Sequence, residues 1–246
     1  MSGVSLALRQ IGYENRAFWR NPPAAFFTFA FPLLFMVIFN VLFGADAAGF
    51  FTPAIMVFGV IAATYTNLAM TVTIARDEGI LKRIRGTPLP PWAYLAGRIG
   101  HAVVIGFLLV VIVAGFGALV YGVDVPWGAL PAVLVVLVVA SATFSALGLA
   151  VSGLIPNSDA APAIVNATIL PVLFISNVFV QMESVPGWLD TLSHLLPVRH
   201  FANAMMELYA SGEAAGVPWT EVGVITLWGV IGVLGALRFF SWEPRR

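Results

Sequence analysis

Ile99–Val123 reads IGHAVVIGFLLVVIVAGFGALVYGV and contains no Asp, Glu, Lys or Arg. A helix rises about 1.5 Å per residue, so this run covers the roughly 30 Å of hydrocarbon in a bilayer. The reading is a membrane-spanning helix. Five more uncharged stretches surround it: Asn21–Ala45, Ala47–Ala75, Val125–Ser158, Ala160–Met182 and Val222–Leu237. The last is short, but Arg238 can snorkel and Phe239 and Phe240 extend it. The chain therefore predicts an all-α polytopic membrane protein with six spans. They lie near residues 24–43, 52–75, 99–121, 128–155, 163–181 and 221–240.

Composition agrees. Hydrophobic residues make up 60% and charged residues 10%, against about 25% charged in soluble domains. Residues 1–246 read as one membrane domain with short loops and no soluble catalytic unit. The absence of Cys removes disulfides, thiolate chemistry and Cys-based metal sites.

The charges are segregated. Arg9, Arg16 and Arg20 precede span 1. Arg76, Lys82, Arg83, Arg85 and Arg98 lie between spans 2 and 3, and Arg238, Arg245 and Arg246 end the chain. With six spans these 11 of the 12 basic residues share one side, and Arg199 lies opposite. Asp46, Asp124, Glu183, Asp190, Glu207, Glu213 and Glu221 fall on that opposite side. Positive loops stay in the cytoplasm, so both termini are expected inside. The first apolar run starts too late, and runs too long, for a cleaved signal peptide, so span 1 is expected to be retained.

Residues about 4–19 place Val4, Leu8, Ile11 and Phe18 near one helical face and Arg9, Arg16 and Arg20 on another. That pattern predicts a helix lying in the membrane interface, stopped by Asn21-Pro22-Pro23. In span 4, Ala142, Ala146 and Ala150 predict close helix packing. Between spans 5 and 6, Leu189, Leu192, Leu195 and Leu196 repeat at helical spacing before Pro197, and Phe201–Tyr209 follows. Two short external helices are expected there, dipping into the outer interface, with Trp188, Tyr209 and Trp219 at headgroup level.

Polar side chains at membrane depth face protein or water. On span 2, Thr64, Asn67 and Thr71 share a face. On span 5, Asn166 and Asn177 are three turns apart, with Pro171 between them. These five are candidates to line a path. The competing reading is hydrogen bonding between helices.

The densest charge cluster is Arg76-Asp77-Glu78-Gly79-Ile80-Leu81-Lys82-Arg83-Ile84-Arg85, followed by Gly86-Thr87-Pro88-Leu89-Pro90. It predicts a short helix on the cytoplasmic face. Asp77 and Glu78 near its start and Lys82, Arg83 and Arg85 near its end suit the helix dipole.

This loop, with Tyr94-Leu95-Ala96-Gly97-Arg98 after it, resembles the hallmark loop of ABC-2 type transporter permeases. The segments Gln181–Leu189 and Leu196-Pro197-Val198-Arg199-His200 are similar to that family's pattern after its fifth span. The resemblance covers nearly the whole chain. It implies the membrane half of an exporter in the bacterial plasma (inner) membrane, powered by two separate ABC ATPase subunits that hold ATP and Mg. It also implies a second permease, identical or paralogous, and a path between the two. The residues that correspond to its ATPase-coupling loop are Arg76, Asp77, Glu78, Gly79, Leu81, Lys82, Arg83, Arg85, Thr87 and Pro88. The chain has no Gly-x-x-x-x-Gly-Lys phosphate loop and only one Lys, in keeping with delegated energy.

Other classes fit less well. Ala150-Val151-Ser152-Gly153 approaches a nucleophile motif, but His101, His194 and His200 offer no base in a neighbouring span. An ion-coupled carrier usually carries an ionisable residue at mid-membrane, and the central spans have none. The expected cargo is hydrophobic or amphipathic and drug-like, with a lipid or lipid-linked glycan as the alternative. The acidic outer rim favours cationic amphiphiles at the exit. Nothing points to nucleic acid or to a cofactor on this chain.

Overall fold

The computed structural model describes residues 3–179, 186–211 and 216–243, and among these every regular element is helical. Met182, Glu183, Glu213, Arg245, Arg246 and the expected end of span 5 at Gln181 lie outside the described residues. In order, the helices are α1 (Gly3–Trp19), α2 (Pro22–Phe43), α3 (Ala48–Ile61), α4 (Asn67–Asp77) and α5 (Ile80–Arg85). Then come α6 (Pro91–Tyr121), α7 (Leu130–Ser152), α8 (Ala161–Phe174), α9 (Gly187–His194), α10 (Pro197–Ala210) and α11 (Trp219–Phe239). A π turn over Ala62–Thr66 joins α3 and α4 into one 30-residue helix. Among the described residues, five helices are long and apolar enough to cross a membrane: Pro22–Phe43, Ala48–Asp77, Pro91–Tyr121, Trp127–Ser152 and Trp219–Phe239.

The fifth expected span differs. Its helix, α8, has 14 residues, about 21 Å at the helical rise. Pro171 sits in its last turn, and the Ile175 N–H closes the helix on the Pro171 carbonyl at 3.2 Å. Asn177 then takes a left-handed φ of 60°, a conformation that Asn tolerates better than most residues. Asn166 and Asn177 therefore do not share the face of one helix. The third expected span begins early, at Pro91 rather than near Ile99. Proline is favoured at a first helical position, so the Pro90-Pro91 pair starts α6 instead of continuing the loop.

The bundle has two distinct ends. At one, Leu81 of α5, Tyr94 of α6, and Phe240 and Trp242 after α11 join a single apolar cluster. At the other, His200 of α10 bonds through Nδ1 to the Glu221 carboxylate and through Nε2 to the His194 carbonyl. Trp228 Nε1 donates to the Leu195 carbonyl at 2.9 Å, fixing α9 to α11. α8 starts at the first end, where the Ser158 N–H meets Asp77, and α9 lies at the second. Arg76, Lys82, Arg83, Arg85 and Arg98 gather at the first end.

Small residues set the packing. α11 lies against α7 so closely that a Cβ on Gly232 would stand 2.9 Å from the Leu147 nitrogen. One on Gly235 would stand 3.1 Å from the Ala150 Cβ. Ala146 and Ala150 serve as expected, whereas Ala142 is exposed and the ridge runs through Thr143, whose Oγ1 donates to the Ile225 carbonyl. α10 departs from the expectation of a helix lying in the interface. Val198, Phe201, Ala202, Met205 and Leu208 are buried in the main core, because its apolar stripe is wide enough to pack against α3, α7 and α11. Trp188 and Trp219 are exposed, and Tyr209 is partly buried.

Helix α1 packs along the start of α6, where Gly97 admits Gln10 and Gly100 admits Ile11. Of its expected apolar face, Ile11 and Phe18 turn toward protein, while Val4 and Leu8 remain exposed.

Candidate functional site

Gly79, with a left-handed φ of 71°, separates α4 from α5. Asp77 is thus the last residue of α4, and not the start of the short helix as the charge pattern had implied. Leu81 is fully buried in a cluster with Leu68, Val72, Tyr94 and Leu149. It roots α5 in the bundle. Lys82, Arg83 and Arg85 are exposed, as are Glu78, Thr87 and Pro88. Arg83 Nη2 donates to the Glu78 carbonyl at 3.1 Å, and Thr87 Oγ1 donates to the Ile84 carbonyl at 2.7 Å. The result is an ordered, mainly basic face projecting from one end of the bundle.

Arg76 and Asp77 behave differently. Arg76 is only 2% exposed. Its Nη1 donates to the Ser152 carbonyl at 2.9 Å and its Nη2 to the Ile155 carbonyl at 2.8 Å. Its Nε donates to Asp77 at 3.2 Å, and the second Asp77 oxygen accepts the Ser158 N–H. Both residues are committed within the chain, to the turn between α7 and α8.

A cavity of about 490 Å³ lies near the same end. α1 contributes Glu14 and Phe18, α2 contributes Phe27, Thr28 and Phe31, and Asn21 sits between them. Phe58, Thr66, Asn67 and Thr71 come from the second span, and Arg98 and His101 from α6. Four phenylalanines and several small apolar residues form much of the wall, and its polar groups come from α1, α2, the second span and α6. Arg98 Nε lies 3.4 Å from the Glu14 carboxylate, and Gln10 donates to that same oxygen, so the two charges offset each other. His101 Nδ1 has no hydrogen-bond partner among the described residues.

Of the five path candidates, the cavity collects Asn67 and Thr71. Thr71 Oγ1 donates to the Asn67 carbonyl, which leaves the Asn67 amide as the stronger free-standing polar group. Thr64 is fully buried and donates to the Val60 carbonyl. Asn166 is exposed on α8, outside the cavity, and Asn177 Nδ2 donates to Met206 Sδ at 3.3 Å. A polar contact that joins spans 2 and 5 is Tyr65 with Thr168, oxygen to oxygen at 2.7 Å. Sequence reasoning missed Glu14, Arg98 and His101 as cavity residues, because Glu14 lay in a helix read as interfacial, Arg98 at the end of a segment read as loop and His101 at the start of the third span. One signal was available: Glu14 is the only acid before span 1.

Residues 11–209 match the ABC-2 type transporter family. The chain is 29% identical over 221 residues to the daunorubicin resistance ABC transporter permease protein DrrB1 of Streptomyces coeruleorubidus, covering 84% of this chain and 76% of that protein. It is 23% identical over 220 residues to the inner membrane transport permease YadH of Escherichia coli, with 85% and 82% covered. It is also 22% identical over 178 residues to the probable multidrug ABC transporter permease YbhR of Escherichia coli. That match spans 72% of this chain but about half of the relative, 48%.

Proposed function

The chain belongs to the ABC-2 type transporter family, and from that premise we propose that it is the transmembrane half of an exporter for hydrophobic or amphipathic drug-like compounds. The observation that carries this reading is α5. It is a basic helix rooted by Leu81, with Lys82, Arg83 and Arg85 exposed where another protein can meet them. Two ABC ATPase subunits dock there and against α1, and they hold the ATP and Mg. Glu78, Thr87 and Pro88 complete the docking surface. Both termini and α5 face the cytoplasm.

Compounds enter from the inner leaflet through the cavity beside α1 and α2. Its volume of about 490 Å³ falls within the roughly 300–1,000 Å³ of drug-sized pockets. Phe18, Phe27, Phe31 and Phe58 offer an apolar wall, and Asn67 and His101 offer hydrogen bonds. A second permease, identical or paralogous, pairs with the exposed apolar face of α2 beyond the cavity, which bears Leu34, Ile38 and Val41. The exposed face of α8 with Asn166 then borders the route between the two.

The relative named for daunorubicin resistance supplies the first compound to try. The chain is purified with its ATPase and placed in lipid vesicles. Hydrolysis of ATP is expected to rise with added daunorubicin, and Asn67→Leu is expected to change the order of preference among drugs while complex yield holds. Stimulation by a lipid-linked glycan and by no drug tested would replace this reading with the glycan one.

A further inference from the structure

We infer that Arg76 and Asp77 are positioning residues that make the α7–α8 turn move together with α5; the assignment rests on the ATPase-driven reading above. Arg76 is the one Asp, Glu, Lys or Arg that is buried among the described residues. A buried guanidinium is retained only where its donors find acceptors. Here they find carbonyls that a helix end leaves without partners. Ser152 is the last residue of α7, and Ile155 lies in the turn after it. The cation also sits at the negative end of the α7 dipole. Asp77 holds the other flank of the turn, taking the Ser158 N–H shortly before α8. The two bind each other as well, so neither charge is left uncompensated.

The position of this clamp gives it a mechanical consequence. Asp77 ends α4, and only Glu78 and Gly79 separate it from α5. Leu81 ties α5 to α4, α6 and α7 through Leu68, Tyr94 and Leu149. A displacement applied at the exposed basic face therefore reaches the end of span 2 without slack. The clamp passes it to both helices that flank the turn, which are spans 4 and 5. Lysine cannot replace the arginine fully, because one ammonium cannot address the two carbonyls with a fixed fork.

The test uses the complete complex in vesicles, with the hydrophobic cationic dye rhodamine as probe. ATP hydrolysed and dye moved are both measured per assembled complex. Dye movement by the unaltered complex establishes the exporter reading by itself, before any variant is compared. Arg76→Met and Asp77→Ala complexes are expected to hydrolyse ATP near the unaltered rate. Dye moved per ATP is expected to fall about tenfold, within the range usual for coupling between sites. Arg76→Lys is expected to recover part of that loss. Unchanged dye per ATP in the assembled variants would overturn the inference and leave a merely structural clamp.

A second measurement needs no variant of the clamp. The chain lacks Cys, so spin labels can be placed by Lys82→Cys with Asn157→Cys, and by Lys82→Cys with Trp219→Cys. Between nucleotide-free and ATP-trapped states the 82–157 separation is expected to hold while the 82–219 separation changes. A change in the 82–157 separation between those states would contradict the inference.

Discussion

At Gly232 a side chain has nowhere to go, since α11 meets the α7 backbone there. Gly232→Leu is expected to destabilise the protein by about 1–3 kcal/mol, the usual cost of overpacking a filled contact. The loss should register as a lower midpoint in thermal unfolding of the detergent-solubilised chain. Asn67 calls for the opposite kind of experiment. Asn67→Cys is expected to react with a small soluble thiol reagent and to be protected by bound drug; no labelling in any nucleotide state would remove Asn67 from the route. Its membership of a polar stripe was readable from spacing alone, as was that of Thr71. Thr64 shows the limit of such reading. It lies three residues before Asn67, yet it bonds back to Val60 and faces the core. The π turn over Ala62–Thr66 inserts an extra residue in the ladder and rotates the faces on either side of it. Nothing in the local sequence announces that turn.

Among the elements, α5 is the one whose surface and anchor can be separated by mutation. Lys82→Glu with Arg83→Glu changes exposed groups only, and folding stability is expected to move by less than about 0.5 kcal/mol. Binding of the ATPase, followed by co-purification, is expected to weaken at least about tenfold, because like charges would face the docking partner. Full binding and transport would remove α5 from the interface. Leu81→Ala leaves the charges in place but empties a buried site, at about 2–5 kcal/mol. Hydrogen exchange over residues 80–85 is expected to speed up selectively. The charge run identified α5 because charge needs solvent or a partner, and Lys82, Arg83 and Arg85 are exposed. The end of α8 was less legible. Pro171 signals a disturbance without saying whether a helix bends or stops, and that depends on Phe179 folding back onto Phe35 and Phe58. The placement of α10 was likewise hidden, since its amphipathic stripe suits an interface and a core equally.

For the whole molecule, hydropathy sufficed to identify an all-helical membrane protein. Bilayer thickness sets a minimum length for a helix that crosses it, and no tertiary contact is needed to see an apolar run that meets it. The cavity could not be read in this way. It combines α1, α2, the second span and α6, and its Glu14–Arg98 pair joins residues far apart in sequence. Basic residues gathered at the α5 end predict cytoplasmic termini. A reporter active only outside the cell is expected to be silent when fused after residue 243 and active near Asp124. The central claim is that this chain moves compounds only when a separate ATPase supplies the energy. Inside-out vesicles containing the chain, with and without that ATPase, test it directly through the uptake of rhodamine. The account predicts uptake that needs both proteins and ATP, and that persists when the proton and sodium gradients are collapsed. Uptake by the chain alone, driven by either gradient without ATP, would contradict it.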